Sequence, residues 1–318
     1  MKIGLLYDAN NYTYNGNETD YSLLSEITKI SNGFKELNYD IDLINGLEEL
    51  VFKITKYSNK NGAPWDIVMN HISWTRTLQK ESVTAFLDFY KIPYIGNSQK
   101  ALTLCADKYC SKLFAKELGI PVPKYIYQEF PYSYIMDYTH IISELGSPFI
   151  IKANGTSGSI GVKKIDNYSE YQKSWKEFSK KWHDGILLEE YIVGTDLTVP
   201  VLRNNRQPFA LGVVQYKNSN NDSIPFFTRN IKYFEEISCI NYENSKICNQ
   251  VKKYSLKMHK ATHCSVYSRC DFRITDNGEV YFLECNATPD LNPHGAFVVA
   301  GGMDFANLLQ HITMESQK

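Results

Sequence analysis

"RCDFRITDNGEVYFLECN", residues 269–286, sets acidic residues and an asparagine among strand-forming apolar residues on either side of an Asp-Asn-Gly turn. Asn277-Gly278 is a strong two-residue hairpin signal, because both central positions of a type I′ turn need positive φ. Taking that pair as the turn sets Asp276 opposite Glu279, Ile274 opposite Tyr281, Phe272 opposite Leu283 and Asp271 opposite Glu284. Directly opposed residues share a face. One face then carries Cys270, Phe272 and Ile274 with Cys285, Leu283 and Tyr281, and reads as core. The other carries Arg269, Asp271 and Arg273 with Glu284 and Asn286. Like charges opposed in a ladder are unfavourable unless something cationic lies between them. An arginine network would serve. So would a hard divalent ion, because Asp, Glu and Asn oxygens with no His or thiolate are the ligand set for Mg²⁺.

A second stretch, "FIIKANGTSGSIGVKKI", ends an apolar strand on Lys152 and continues into Gly155, Thr156, Ser157, Gly158, Ser159 and Gly161. Small residues let backbone N–H groups approach an anion closely, and the hydroxyls add donors. The loop lacks the Gly-Lys-Ser/Thr ending of a P-loop, and no Gly-x-Gly-x-x-Gly follows a strand, so neither of those fingerprints applies. A glycine-serine turn alone is an ordinary connection. Lys108 at the head of one helix, Lys152 at the end of a strand and the carboxylate cluster together are the parts that phosphoryl transfer needs.

Strand-like and helix-like segments alternate over the first hundred residues ("KIGLLY", "YDIDLIN", "WDIVMNHIS", "SVTAFLDFY", "IPYIGN"), which predicts a parallel sheet with crossover helices. A middle unit runs through a helix near 133–145, and a third contains "GILLEEYI", "TDLTVPVLRN" and "FALGVVQYK", three runs that suit one antiparallel sheet. Residues 217–230 read as a long polar loop, 244–261 as a helix, and "VVAGGMDFANLLQHI" as a closing helix. The expected division is 1–100, 101–184 and 185–318, consistent with a 318-residue chain exceeding one core. Lys plus Arg (34) nearly balance Asp plus Glu (35), so no overall field favours nucleic acid or an anionic membrane. No apolar run reaches the roughly 18 residues of a membrane span, and the start carries no signal-peptide pattern, which predicts a cytoplasmic protein. Seven scattered cysteines without a Cys-x-x-Cys pair read as mostly reduced core residues. His259 and His263 are four apart with no third ligand nearby, and read as packing or surface residues.

From about Pro93 to His294 the chain resembles the ATP-grasp superfamily and, within it, the D-alanine-D-alanine ligase group. The resemblance implies an α/β protein, α+β in its C-terminal part, in which an N-terminal parallel-sheet domain precedes two α+β lobes that enclose ATP. "ADKYCSKLFAKELGIPVPKY" is similar to the segment of the first nucleotide lysine, Lys108, and "PFIIKANGTSGSIGV" to that of the second, Lys152, with Ser157, Gly158 and Ser159 in its flexible loop. "LLEEYIVGTDLTVPVL" is similar to the adenine and ribose segment, which implies Glu189, Tyr191 and Ile192 at the base and Asp196 at the ribose. Lys232 matches a lysine that reaches the terminal phosphate; Asp271, Glu284 and Asn286 match the metal ligands, and Arg269 lies near the reacting carboxyl phosphate. Arg269, Lys232 and Ser159 form the implied catalytic set. Implied cofactors are ATP and two Mg²⁺, with Mn²⁺ as an alternative ion. The implied substrates are a small carboxylate and an amine, joined through an acyl phosphate; a homodimer is allowed, as related ligases are commonly dimers.

The substrate half departs from that group. "LLYDANNYTYNGNETDY" stands where its members have Gly-Gly-x-Ser and a glutamate that holds the first amino acid. "NHISWTRTLQKES" keeps His71 and loses the glycines and acids, Pro289-Asp290 replaces a Pro-Gly step, and Gly295-Ala296 replaces a small polar pair. His71, Asp290 and His294 are therefore the candidate substrate contacts, with Asp290 facing a cationic or amino-bearing group, and the expected substrates are other than a D-Ala pair. Two alternatives remain at this point: phosphorylation of a small acid without an amine acceptor, and a nucleotide-binding protein without turnover.

Overall fold

The computed structural model describes residues 1–8, 21–58, 63–71, 77–132, 134–156, 158–227, 231 and 236–318. Apolar β1 (Lys2–Tyr7) pairs in parallel with β2 (Asp40–Asn45) and β3 (Ile67–Asn70), and β3 with β4 (Tyr94–Ile95), giving the order β2-β1-β3-β4. Parallel neighbours need crossovers, supplied by α1 (Tyr21–Glu36), α2 (Gly46–Ser58) and α3 (Thr77–Phe89), as the alternating pattern predicts. Ile3, Leu5, Ile30 and Phe34 of this unit share a core with Leu308, Leu309 and Ile312 of the last helix, so the chain's end packs on its beginning.

After α4 (Gln99–Ala106) and α5 (Lys108–Glu117), a second sheet has the order β5-β8-β6-β7, formed by β5 (Tyr125–Gln128), β6 (Phe149–Ala153), β7 (Val162–Ile165) and β8 (Ile186–Glu190). Two helices, α6 (Tyr138–Leu145) and α7 (Tyr168–Lys181), cover one face through Ile141, Leu145, Tyr171, Trp175 and Phe178. α6 starts at Asp137, which caps it through Thr139 N–H, several residues later than the sequence suggests. "GILLEEYI" thus joins the middle sheet by pairing with β5 and β6, rather than the sheet formed by the two runs that follow it.

The third sheet runs β12-β11-β9-β13-β14, with β10 on β9: β9 (Thr195–Asn204), β10 (Gln207–Ala210), β11 (Val214–Asn218), β12 (Ile237–Asn241), β13 (Tyr267–Ile274) and β14 (Val280–Asn286). Behind it lies α8 (Ser245–Ala261), N-capped by Asn244. The closing segment is two helices, α9 (Ala296–Gly301) and α10 (Phe305–Ser316), because Gly302 turns left-handed at φ 57° between them. Asn97 holds the first sheet to the third: its amide donates to the carbonyls of Tyr267 and Ala287, each at 2.7 Å, and accepts from Ser265 N–H at 2.6 Å. Cys105, Cys264, Cys270 and Cys285 are buried thiols behind this sheet, as expected, with Cys105 and Cys264 sulfurs in van der Waals contact at 3.7 Å. His259 is also internal, bonded to Ser268 Oγ at 2.8 Å.

The β13–β14 hairpin differs from the expected register over half its length. Gly278 N–H bonds to the Thr275 carbonyl and Thr275 N–H to the Glu279 carbonyl, so the turn spans Asp276 to Gly278 rather than two residues. Ile274 consequently faces Val280, Arg273 faces Tyr281 and Phe272 faces Phe282. An irregularity between Asp271 and Phe272 takes up Leu283 and restores Asp271 opposite Glu284. Val280 and Phe282 therefore join Cys285 as the core residues of β14, whereas Leu283 turns to the other side and lines a cavity.

Candidate active site

A cavity of about 470 Å³ is lined by residues of all three sheets or the segments beside them. The nucleotide candidates meet in it. Lys108, buried at the first turn of α5, donates to the carbonyl and hydroxyl oxygens of Thr156 in the small-residue loop. Burial pushes its ammonium down to about 8. Lys152 at the end of β6 pairs at 2.5 Å with Glu189 of β8, whose other oxygen is 2.9 Å from Lys112. Lys112 and Glu189 are 0% and 1% exposed, so neither charge has water as an alternative partner. Burial alone would raise the Glu189 pKa, but Lys112 and then Lys152 outweigh it and hold the carboxyl below its ordinary range.

The loop itself fits close backbone approach. Gly158, Ser159 and Gly161 all have positive φ, and a Cβ on Gly161 would lie 2.8 Å from that of Ala153 and 3.2 Å from the Trp182 ring. Gly158 and Ser159 line the cavity. Tyr191, Ile192 and Asp196 line its next wall, with Asp196 bonded to Arg273 at 2.7 Å. Ser157 and Lys232 lie outside the described residues.

On the floor, Asp271 and Glu284 face each other and Asn286 faces Arg269. Arg269 Nη2 lies 2.8 Å from Asp271 and 3.9 Å from Glu284, and Thr198 Oγ donates to Asp271 at 2.8 Å. The arginine network is thus part of the site. The donor set still fits a hard cation: the acids and the Asn286 amide stand on adjacent strands at the cavity wall, and Glu284 keeps 38% of its side chain exposed there.

At the far end, Glu26 of α1 lines the cavity 3.2 Å from His71 Nε2, with both side chains nearly buried. Burial raises the Glu26 pKa to about 7; His71 opposes the shift, and a carboxyl contact with Asp290 adds to it. Asp290 and His294 line the same end, where Asn292 links them by accepting from His294 N–H at 3.0 Å and donating to Asp290 at 3.4 Å. His71 itself does not line the cavity and reaches it through Glu26.

Residues 114–314 match the family model described as D-ala D-ala ligase C-terminus. The chain belongs to this ligase family. A D-alanine–D-alanine ligase of Lactobacillus gasseri is 32% identical over 207 residues, 62% of this chain and 56% of that protein, so the match spans little more than half the relative's length. One from Aromatoleum aromaticum is 28% identical over 71% of each chain, and ligase A of Bacillus cereus is 27% identical over 89% of this chain and 86% of its own. Among solved structures, the ATP complex of the Bacillus anthracis D-alanine–D-alanine ligase superposes with TM-score 0.75 at 22% identity, covering 100% of this chain and 97% of that one. The VanG D-Ala:D-Ser ligase of Enterococcus faecalis superposes with TM-score 0.75 at 18% identity over 99% of both. This likeness shows the fold: the three-part ATP-grasp arrangement expected from the motifs.

Among the side chains at or beside this cavity that the sequence did not single out are Glu26, Lys112, Arg273 as the partner of Asp196, and Cys239, which lines the cavity instead of the core. Lys112 carried a signal, since it follows Lys108 by four residues, one helical turn. Glu26 carried none, being one polar residue of an amphipathic helix. No described helix is long and apolar enough to cross a membrane.

Proposed function

We propose that this chain is an ATP-dependent carboxylate-amine ligase that forms an amide or peptide bond through an acyl phosphate and releases ADP and phosphate, on substrates other than a D-Ala pair. The observation that carries the reading is the convergence of Lys108, Lys152, Asp196, Arg269, Asp271, Glu284 and Asn286 on one cavity, although they are spread over almost 180 residues of sequence. Family membership supports it independently. ATP would supply the phosphoryl group, and Mg²⁺ held by Asp271, Glu284 and Asn286 would offset phosphate charge.

The chain's own groups then have separable tasks. Lys108 and Lys152 point cationic heads at the position for phosphates, and Glu189 keeps Lys152 from folding away. Burial opposes the charged form of Arg269, but its neighbours, Asp271 first and Glu284 among them, together outweigh burial and keep the guanidinium charged. From there it can hold the carboxylate being phosphorylated. Loop donors around Gly158 and Ser159 would cover the phosphates and exclude water. Lys232 is assigned to the terminal phosphate by its motif alone.

The acidic end formed by Glu26 and Asp290, backed by His71, suits an ammonium-bearing substrate. Gly295 and Ala296 offer no side-chain hydroxyl for a second substrate's carboxylate, which favours partners other than a D-Ala pair. The test is ADP and phosphate release with Mg²⁺ while amino acids and amines are offered singly and in pairs, with product masses recorded. Pair-dependent ADP release with a condensed product supports the proposal. ADP with only a phosphorylated acid, ATP binding without turnover, or efficient turnover of D-Ala alone would each refute part of it. Unchanged substrate affinity in Asp290→Ala would remove Asp290 from the site.

A further inference from the structure

Arg273 stands on β13 two residues from Asp271 and is 5% exposed. Its three kinds of nitrogen reach three different segments. Nε donates to the Ile192 carbonyl at 3.0 Å, Nη1 to Asp196 Oδ1 at 2.7 Å, and Nη2 to the Pro225 carbonyl. These acceptors belong to the β8–β9 connection, to β9 and to the segment after β11. Tyr191 reinforces the same junction, donating from its hydroxyl to the Pro225 carbonyl at 3.0 Å, with the guanidinium 6.0 Å from its ring centre. Only a planar fork with donors on all sides can bridge acceptors so arranged; a lysine would reach one or two of them.

Two consequences meet at the cavity. Asp196 lines it with 22% of its side chain exposed and has Oδ1 engaged by the arginine, so its carboxylate is fixed in direction. Phe226 and Phe227, which follow the tethered Pro225, line it as well. Removing Arg273 would leave the half-buried Asp196 without the cation that fixes its direction and would free the Pro225 carbonyl beside it.

We propose that Arg273 is a positioning residue which aims the Asp196 carboxylate at the sugar hydroxyls of a bound nucleoside triphosphate and ties the Pro225 segment beside it, so that the pair sets selectivity for a ribonucleotide over its 2′-deoxy form. The inference rests on the nucleotide reading of the cavity. A carboxylate held in this way accepts two neighbouring hydroxyls, and loss of one charge-assisted hydrogen bond weakens binding by about tenfold or more.

The experiment compares KM and kcat for ATP and 2′-deoxy-ATP in the wild type, Arg273→Met, Arg273→Lys and Asp196→Asn. The wild type is expected to favour ATP by about tenfold or more in KM. In Arg273→Met, KM for ATP should rise about tenfold and the preference should shrink to within about twofold, with kcat changing less than KM. Arg273→Lys should recover part of the preference by restoring a charge beside Asp196. If Arg273→Met does not fold, Asp196→Asn must give the same collapse of preference. An unselective wild type, an equal loss for both nucleotides in Arg273→Met, or a wild-type preference in Asp196→Asn overturns the proposal. ATP turnover with unchanged sugar preference in the variants sinks this inference alone, whereas a wild type that binds no nucleotide sinks the ligase reading with it.

Discussion

The two ends of the cavity handle charge in opposite ways. At the nucleotide end most of the described charged groups are paired: Lys152 and Lys112 share Glu189, Arg273 holds Asp196, and Arg269 holds Asp271. At the far end two carboxyls, Glu26 and Asp290, meet with His71 alongside, and Glu26 titrates near neutrality, at about 7. The first arrangement costs little to reorganise when charge moves, because its dipoles and ions are fixed in advance. The second is tense until a cation arrives. The contrast fits the proposed reaction, with a constant chemical step at one end and a site completed by its ligand at the other.

The largest expected effect breaks the nucleotide end. Glu284→Gln should lower kcat by about 10³-fold or more and abolish the Mg²⁺ response while the protein stays folded; near-normal Mg²⁺-dependent turnover would remove the metal assignment. Next in size, Glu189→Gln strips the shared acid from two lysines, one of them fully buried. It should cost about 3–5 kcal/mol in urea unfolding, and a loss below about 1 kcal/mol would mean the pairing is not what holds Lys152.

A smaller effect probes the far end. With a folded pKa of about 7 against 4.5 for the free group, Glu26 favours folding below pH 4.5, and that contribution is lost as pH rises through about 7. Ammonium binding should run the other way, because proton and cation compete for the carboxylate. Affinity for the amino-bearing substrate should weaken about tenfold from pH 8 to pH 6, and Glu26→Gln should flatten that dependence; a steep profile surviving in the variant would shift the titration elsewhere. The smallest effect concerns the floor. Gly278 has φ 82° and space for a Cβ, with only Ile247 Cδ1 at 3.9 Å. Gly278→Ala should therefore cost only about 1 kcal/mol in thermal or urea unfolding with activity kept, and loss of activity would mean that the turn controls the metal strands.

What could be read in advance follows the same division. Lys152 at the end of an apolar strand, and Asp271, Glu284 and Asn286 alternating with core residues, stand out because a charge in a strand needs a reason. The sequence pattern opposes Asp271 to Glu284 as the structure does, although it places the turn on two residues, since the longer turn and the irregularity at Leu283 cancel. The sequence suggests that β8 joins β9, and the structure pairs it with β5 and β6 instead, because strand pairing between distant segments leaves no local mark. Glu26 sits on a helix where a polar residue is unremarkable, and only tertiary packing reveals that it meets Asp290; Lys112 shares a helix face with Lys108, but its partner Glu189 lies on a distant strand. The chemistry of the fixed end was legible; the ligand-completed end depended on contacts between segments far apart in the chain.

The most direct test of the central claim, that the cavity passes a carboxylate to an amine through an acyl phosphate, is isotope transfer. The acid substrate identified by the pairwise assay, labelled with ¹⁸O in both carboxyl oxygens, is turned over with ATP, Mg²⁺ and the amine, and the phosphate and product are weighed. One ¹⁸O should appear in each phosphate released and one should remain in the amide. Amide formed with unlabelled phosphate would contradict it.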